Sequence, residues 1–483
     1  MQKVLFTHSY FLRFDPKMWQ EHKPYPPLGT IYAAALLREN GYSVSLFDVM
    51  FAEGPQEILP QLAAEQPDAL VIYDDGFNYL TKMCLTNMRE AALTMCGYAR
   101  SRGMKVLVCS SDSTDHCEKY LDAGADAVIL GEGEMGLLET LGALERGETD
   151  LDTIRGLAYR KAGTTQLTER RPVIRDLDRL PPPAWDLIDI APYQEAWSRH
   201  GYFSINMATT RGCPYKCNWC AKPIYGNRYN SHSPAGKAEE LAFLVREFKA
   251  DHVWFCDDIF GLKPGWVQKF ADEIAERNLK VRFKIQSRAD LLLKDDTVEA
   301  LARAGCEEVW LGAESGSQKI LDAMDKGITV AQIHASRKML GKHGIRTAFF
   351  LQFGYLGETQ ADIQATFAML AEAMPDDIGV SVSYPLPGTK FYEKVAHELG
   401  DKTNWTDSDE LALMFRNHHS PEYYKRLHRY VHKHYRKLQG FASLGSLPKG
   451  KIDRENLRRA ASVLYYIPAA WLESRRLNRL KNG

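Results

Sequence analysis

Apolar residues in roughly the first 146 positions come as short unbroken runs separated by longer amphipathic stretches. Lys3–Thr7, Ser43–Phe47, Asp68–Tyr73, Lys105–Cys109 and Ala127–Leu130 predict strands. Between them, Ile31–Glu39 with Tyr32, Ala35 and Leu36 on one face, the stretch around Leu59 and Leu62, and Met83–Arg102 predict helices. Strands buried on both faces read as continuous apolar runs rather than alternating ones, so the pattern predicts a parallel sheet covered by helices.

From residue 150 to 202 the rhythm changes. Arg155–Arg160 and Gln166–Ile174 predict a small hairpin, and Leu180-Pro181-Pro182-Pro183-Ala184-Trp185-Asp186-Leu187 is a stiff linker that can continue neither helix nor central strand. Alternation then resumes with six strands: Ser204–Thr209, His252–Cys256, Val281–Ile285, Glu308–Gly312, Thr347–Gln352 and Ile378–Ser383. Ser233-Pro234 supplies an N-cap and a first-turn proline for the helix after the first of these. Polar groups recur at the carboxyl end of every strand, as at the mouth of an incomplete (β/α)6 barrel. Past Leu399 the pattern is helical, and Tyr423, Leu427, Tyr430, Val431 and Tyr435 share one face. The fold class is therefore α/β: a Rossmann-like doubly wound sheet over 1–149, a hairpin and proline-rich linker over 150–202, a partial TIM-like barrel over 203–400, and a basic helical region over 401–483.

Composition narrows the class. A chain of 483 residues with 45% apolar and 25% charged residues is a globular protein of two or three domains. The start of the chain reads as a strand rather than a signal peptide, and no run of about 18 apolar residues spans a membrane, so a cytoplasmic location is expected. The net charge of −1 conceals an asymmetry: from Leu411 onward there are 16 Lys/Arg against 4 Asp/Glu, leaving the rest acidic. Of nine cysteines, Cys84, Cys96, Cys109, Cys117, Cys256 and Cys306 show no framework spacing and read as reduced thiols.

The other three carry the chemistry. Cys213, Cys217 and Cys220 stand at C-x3-C-x2-C just past the first barrel strand, in Thr209-Thr210-Arg211-Gly212-Cys213-Pro214-Tyr215-Lys216-Cys217-Asn218-Trp219-Cys220. Three thiolates on one loop suit zinc or an iron–sulfur cluster. A closed site needs a fourth ligand, and the nearest histidine in sequence is His232. A zinc knuckle completed by Cys256 or His252 is the structural alternative.

This loop, with Trp219 before its third cysteine, resembles the radical SAM signature. The resemblance implies a [4Fe–4S] cluster on Cys213, Cys217 and Cys220, whose fourth iron chelates S-adenosylmethionine and whose electron cleaves it to a 5′-deoxyadenosyl radical. Other strand ends match the family too. It implies SAM contacts from Trp219, Asp257, Arg288, Glu314, Ser315 and Gly354, with Asp258, Gly357-Glu358-Thr359 and Pro385-Leu386-Pro387-Gly388-Thr389 at further strand ends. No residue is assigned a catalytic role.

In doubly wound sheets, ligands bind outside the carboxyl ends of the strands. No G-x-G-x-x-G follows the first strand, which argues against a dinucleotide. With Pro26-Pro27-Leu28-Gly29 entering the first helix and Gly131-Glu132-Gly133-Glu134 after the last strand, the domain resembles the cobalamin-binding domain that precedes many radical SAM enzymes. The implied corrinoid contacts are Thr7, His8, Tyr73, Ser110, Ser111, Gly131, Glu132 and Gly133. D-x-H-x-x-G is absent and Ser110-Ser111-Asp112 replaces a glycine pair, so a bound cobalamin would lack a lower histidine; a degenerate, empty domain is the other reading.

The resemblance implies a cobalamin-dependent C-methyltransferase, with a cyclase or oxidase of the anaerobic magnesium-protoporphyrin type as the alternative, and a non-catalytic iron–sulfur or zinc sensor as the reading from another class. Expected partners are a small-molecule or lipid-like substrate and a flavodoxin- or ferredoxin-type electron donor. Nucleic acid is not expected. The basic C-terminal helices predict either a solvated face packed on the barrel or peripheral contact with an anionic membrane.

Overall fold

A computed structural model describes residues 2–222, 224–294, 296–449 and 453–481. The chain divides into two compact units, one of Met1–Tyr215, Ala221–Ile285 and Asn404–Glu410, the other of Lys216–Cys220, Gln286–Thr403 and Leu411–Gly483.

In the first unit, β1 (Lys3–Thr7), β2 (Ser43–Phe47), β3 (Ala69–Tyr73), β4 (Lys105–Cys109) and β5 (Ala127–Ile129) pair in parallel. β6 (Leu157–Lys161) and β7 (Thr164–Leu167) extend the sheet antiparallel, giving the order β2-β1-β3-β4-β5-β6-β7. The predicted hairpin is thus the sheet's edge. Its second arm ends at Leu167, shorter than expected, and the Ile174 N–H is donated to the Glu132 carboxylate. Leu5, Leu70, Ile72, Val106, Val108 and Val128 build the core on one face, under the helix Thr86–Arg100 with Ala91, Met95 and Ala99. The helix expected from Met83 begins only at Thr86, after a short turn of helix over Tyr79–Lys82. Cys84 between them has φ +56°, which no right-handed helix accommodates.

Barrel strands follow. β8 (Ser204–Met207) leads into the two-residue β9 (Thr210–Arg211) and β10 (Asn230–Ser231), which pair antiparallel across the cysteine loop's base. β11 (His252–Phe255) lies between β8 and β12 (Arg282–Ser287), both parallel to it. Pro234–Phe248 is capped by Ser233, whose hydroxyl accepts from the Gly236 N–H at 3.2 Å. Asn404–Glu410 also belongs to this unit: the carbonyl of the fully buried Trp405 accepts from the Thr86 N–H and hydroxyl, each at 2.9 Å.

In the second unit, β13 (Cys306–Glu314), β14 (Arg346–Phe353) and β15 (Asp377–Val382) are parallel neighbours in sequence order. β8, β11 and β12 before residue 288 and β13, β14 and β15 after it correspond to the six strands the sequence predicts. Pro421–Ser446 and Arg454–Leu480 then form a long helical hairpin. Tyr423, Leu427, Val431 and Tyr435 are buried as the pattern predicts, and Tyr430 is half-buried against Phe367.

Candidate active site at the cysteine loop

The first half of the loop is held inside the first unit. Asp257, beyond β11, is buried and accepts from the Thr209 and Thr210 backbone N–H groups and from both hydroxyls at 2.5–3.1 Å. Burial pushes its carboxyl up to about 6, and the hydrogen bonds from Thr210 and Thr209 oppose that rise. Its oxygens thus fix the strand end from which the loop departs. Gly212 has φ +80°, and a Cβ there would lie 2.4 Å from the Arg228 carbonyl, so only glycine passes. Lys222 donates to the carbonyls of Cys213 (3.0 Å) and Tyr215 and to Asn227 Oδ1.

Between these anchors sits a buried charge cluster. Arg211 donates to Glu132 at 2.6 Å and to Glu134 at 2.7 Å, and all three side chains are almost fully buried. Rings of Tyr32, Phe77 and Tyr225 lie 5.4–5.8 Å from the guanidinium. Burial alone would favour the neutral form, but Glu134, Tyr225 and Glu132 hold Arg211 more firmly charged than usual. Burial raises the Glu132 carboxyl, which Arg211 counteracts. The loop after β5 and the residue before the first cysteines are therefore one electrostatic unit.

The second half of the loop belongs to the second unit. Asn218 is buried; its amide nitrogen donates to the Ala323 carbonyl at 2.7 Å and to Asp325 at 3.0 Å, while its oxygen accepts from the Tyr355 hydroxyl at 2.5 Å. Its backbone N–H donates to Met324 and its carbonyl accepts from Phe391. The Cys220 N–H donates to the Cys217 carbonyl at 3.2 Å, closing a turn that carries both sulfurs. Lys326, 6.0 Å from the Trp219 ring centre, pairs with Glu314 at 2.7 Å. Burial would lower the Lys326 pKa, but Glu314 and the Cys217 sulfur raise it. Glu314 has φ +58°, a strained backbone for a side chain of its size, which aims its carboxylate at Lys326.

Other expected contacts are distributed around these. Arg288 pairs with Asp290 at 3.0 Å and reaches the Gly327 carbonyl. The Ser315 hydroxyl meets Thr366, and the Gly316 backbone packs so closely on Ala365 that a Cβ would lie 2.4 Å from its carbonyl. Gly354 (φ +79°) donates to Glu358, whose carboxyl burial pushes up to about 8. Cys217, Trp219, Glu314 and Lys326 thus gather together, whereas Gly354 sits against Leu413 and Tyr424.

At the sheet's carboxyl edge, Thr7, His8, Tyr73, Ser110, Ser111 and Glu132 are all buried. His8 bonds Asp48 at 2.8 Å, and Asp48 also accepts from Tyr193, so this imidazole is committed within the protein. Ser110 caps the turn Ser111–Asp115. Gly131 takes φ +80°, and a Cβ on Gly133 would meet Cys109 Sγ at 2.4 Å and the Tyr73 ring at 2.9 Å. Thr7 donates to the Phe47 carbonyl at 2.8 Å.

Among the described residues no three His, Cys, Asp or Glu side chains are already drawn into a metal-holding group. The fit to a cluster rests on the donor set: three half-buried thiols in one short loop. The zinc alternative fits poorly. His252 opens β11 at the end remote from the loop, bonded to Ser204 at 2.8 Å, and the Cys256 thiol donates to the Met207 carbonyl. Among the described residues, the buried polar atoms without hydrogen-bond partners include the Trp219 indole N–H beside the cysteines and the Tyr10 hydroxyl just past β1. Each fits a polar ligand, SAM and a corrinoid respectively. A shallow hollow lined by Lys249, Asp251, Lys280 and Arg282 lies at the amino ends of β11 and β12, away from this chemistry.

Sequence reading assigned no function to Arg211, Asn218, Lys222 or Lys326. Arg211 and Asn218 lie within the motif, but their partners are 77 to 137 residues away.

Residues 207–370 match the Radical SAM superfamily. An uncharacterized methyltransferase of Pyrococcus horikoshii is 27% identical over 79% of this chain and 81% of that protein. An anaerobic magnesium-protoporphyrin IX monomethyl ester cyclase of Synechocystis is 25% identical over 79% and 75% of the two chains. The structure of the cobalamin-dependent S-adenosylmethionine radical enzyme OxsB with aqua-cobalamin bound superposes with a TM-score of 0.75 over 98% of this chain and 72% of that one, at 17% identity. That likeness shows the fold: a doubly wound sheet, a partial barrel and a helical C-terminal region.

Proposed function

We propose, from the match of residues 207–370 to the Radical SAM superfamily, that this chain is a cobalamin-dependent C-methyltransferase acting on an unactivated carbon. The observation that carries the reading is the loop of Cys213, Cys217 and Cys220, whose start is tied through Arg211 to the Gly131–Glu134 loop of the sheet domain. When bound, a [4Fe–4S] cluster supplies the electron that cleaves SAM to a 5′-deoxyadenosyl radical, and cobalamin supplies the methyl group.

This chain's residues bind and orient. Cys213, Cys217 and Cys220 hold the cluster; Asp257, Lys222 and Asn218 fix the loop that presents them. The Trp219 indole N–H offers SAM a hydrogen bond, with the Lys326–Glu314 pair beside it. Thr7, Tyr73, Ser110, Ser111, Gly131 and Gly133 would hold the corrinoid, while His8 is committed to Asp48. The electron donor is a flavodoxin- or ferredoxin-type protein. Methyl transfer is put ahead of cyclisation because the Pyrococcus horikoshii relative, 27% identical, is itself named a methyltransferase; the Synechocystis cyclase, 25% identical over a similar span, supports the second reading.

The test is anaerobic reconstitution with iron, sulfide and hydroxocobalamin, then SAM and dithionite, with mass spectrometry for 5′-deoxyadenosine and S-adenosylhomocysteine. Both products from the wild type and neither from Cys217→Ala support methyl transfer. 5′-Deoxyadenosine without S-adenosylhomocysteine favours the cyclase or oxidase reading. Neither product from a loaded protein favours a non-catalytic sensor.

A further inference from the structure

We propose that the outer face of the helix Arg454–Leu480 docks the protein on an anionic lipid surface. The opposite face of that helix is already used. Gly440 lets it approach Pro421–Ser446 so closely that a Cβ there would lie 2.3 Å from Val463 and 2.9 Å from the Arg459 carbonyl. Glu473, buried, pairs with Lys433 at 2.8 Å and lies 3.7 Å from Arg426, locking the two helices together. The first helix is fixed in turn through Arg436 to Asp377 and Gln439 to the Asp376 carbonyl. Ala460, Val463, Ala470 and Leu477 fill the buried side.

A surface helix with one face so occupied is ordinarily polar on the other. Here it is not. Leu457, Ala461, Leu464, Pro468 and Trp471 follow one another at spacings of four, three, four and three, one stripe along the helix, with Tyr465 and Leu472 beside it. Leu464 is 84% exposed, Tyr465 63% and Trp471 57%. Phe441 and Leu444, exposed near the end of the preceding helix, place further apolar surface at the same turn of the hairpin as Leu457.

Charge identifies the occupant. Arg454 and Arg458 flank the stripe at one end and Arg475, Arg476 and Arg479 at the other, all exposed. The helix's only exposed acid, Glu455, pairs with Arg459 at 2.6 Å. An apolar centre with Trp and Tyr between arginine clusters suits the boundary between acyl chains and anionic headgroups. A second copy of the same helix would set arginines against arginines. No helix among the described residues is long and apolar enough to cross a membrane, so the contact is peripheral.

The test is flotation of the full-length protein with vesicles of phosphatidylcholine alone and of phosphatidylcholine mixed with phosphatidylglycerol. Capture by the mixed vesicles only, weakened by salt and reduced about tenfold or more in Leu464→Glu/Trp471→Glu, is the expected result. Both substituted residues are exposed, so unchanged circular dichroism accompanies the loss. Arg458→Glu/Arg475→Glu should abolish the preference for phosphatidylglycerol. No capture of the wild type by anionic vesicles overturns the proposal, as does a wild-type dimer that Leu464→Glu/Trp471→Glu dissociates while vesicle binding is unchanged.

Discussion

Arg211 keeps its charge in the interior because two carboxylates and three aromatic rings surround it. Removing it leaves Glu132 and Glu134 buried without a counter-charge, so Arg211→Ala should destabilise the first unit by about 3–5 kcal/mol in chemical denaturation. Arg211→Lys should recover only part, since an ammonium lacks the fork that reaches both carboxylates. Glu358 makes the opposite case. Its carboxyl, raised from an ordinary 4.5 to about 8 by burial, holds its proton better folded than unfolded. The associated stability is therefore complete below about pH 4.5 and lost as pH rises through about 8. Glu358→Gln mimics the protonated form, so thermal scans from about pH 6 to about pH 9 should show the wild type losing stability and the variant losing less. Spacing marked Cys213, Cys217 and Cys220 as candidate metal ligands with zinc and an iron–sulfur cluster both open, and the family resemblance implied the cluster. The environments of Arg211 and Glu358 were not, because each is set by residues that only the fold brings near.

At the scale of elements, each part of the cysteine loop is held by contacts within its own unit. Asn218 makes three side-chain hydrogen bonds and two through its backbone, all within the second unit. Asn218→Ala would strand the Ala323 carbonyl, Asp325 and the Tyr355 hydroxyl, a loss of about 2–4 kcal/mol. It should also reduce iron bound per chain after reconstitution, which a merely global destabilisation measured below its melting point would not do. The C-terminal hairpin depends on Gly440 in the same local way: Gly440→Val has no space beside Val463 and should lower the melting temperature while leaving the first unit's sheet intact by circular dichroism. Most strands were legible because buried parallel strands are continuous apolar runs. The break at Cys84 and the capture of the hairpin β6–β7 by the sheet were not, since one is a backbone conformation and the other a choice of edge.

For the whole molecule, the order of doubly wound sheet, partial barrel and basic helices followed from alternating patterns and the charge shift after Leu411, and the superposition over 98% of the chain bears out that fold. Sequence pattern alone did not foresee that Asn404–Glu410 belongs to the first unit, with Trp405 buried there. The proposed function requires that three thiolates hold a cluster able to bind SAM. Electron paramagnetic resonance of the reconstituted, dithionite-reduced protein, recorded with and without SAM, tests this most directly. A reduced [4Fe–4S] signal whose g-values shift when SAM is added, absent from Cys217→Ala, is the predicted result; a cluster-loaded protein whose spectrum ignores SAM, or one that binds zinc in place of iron, contradicts it.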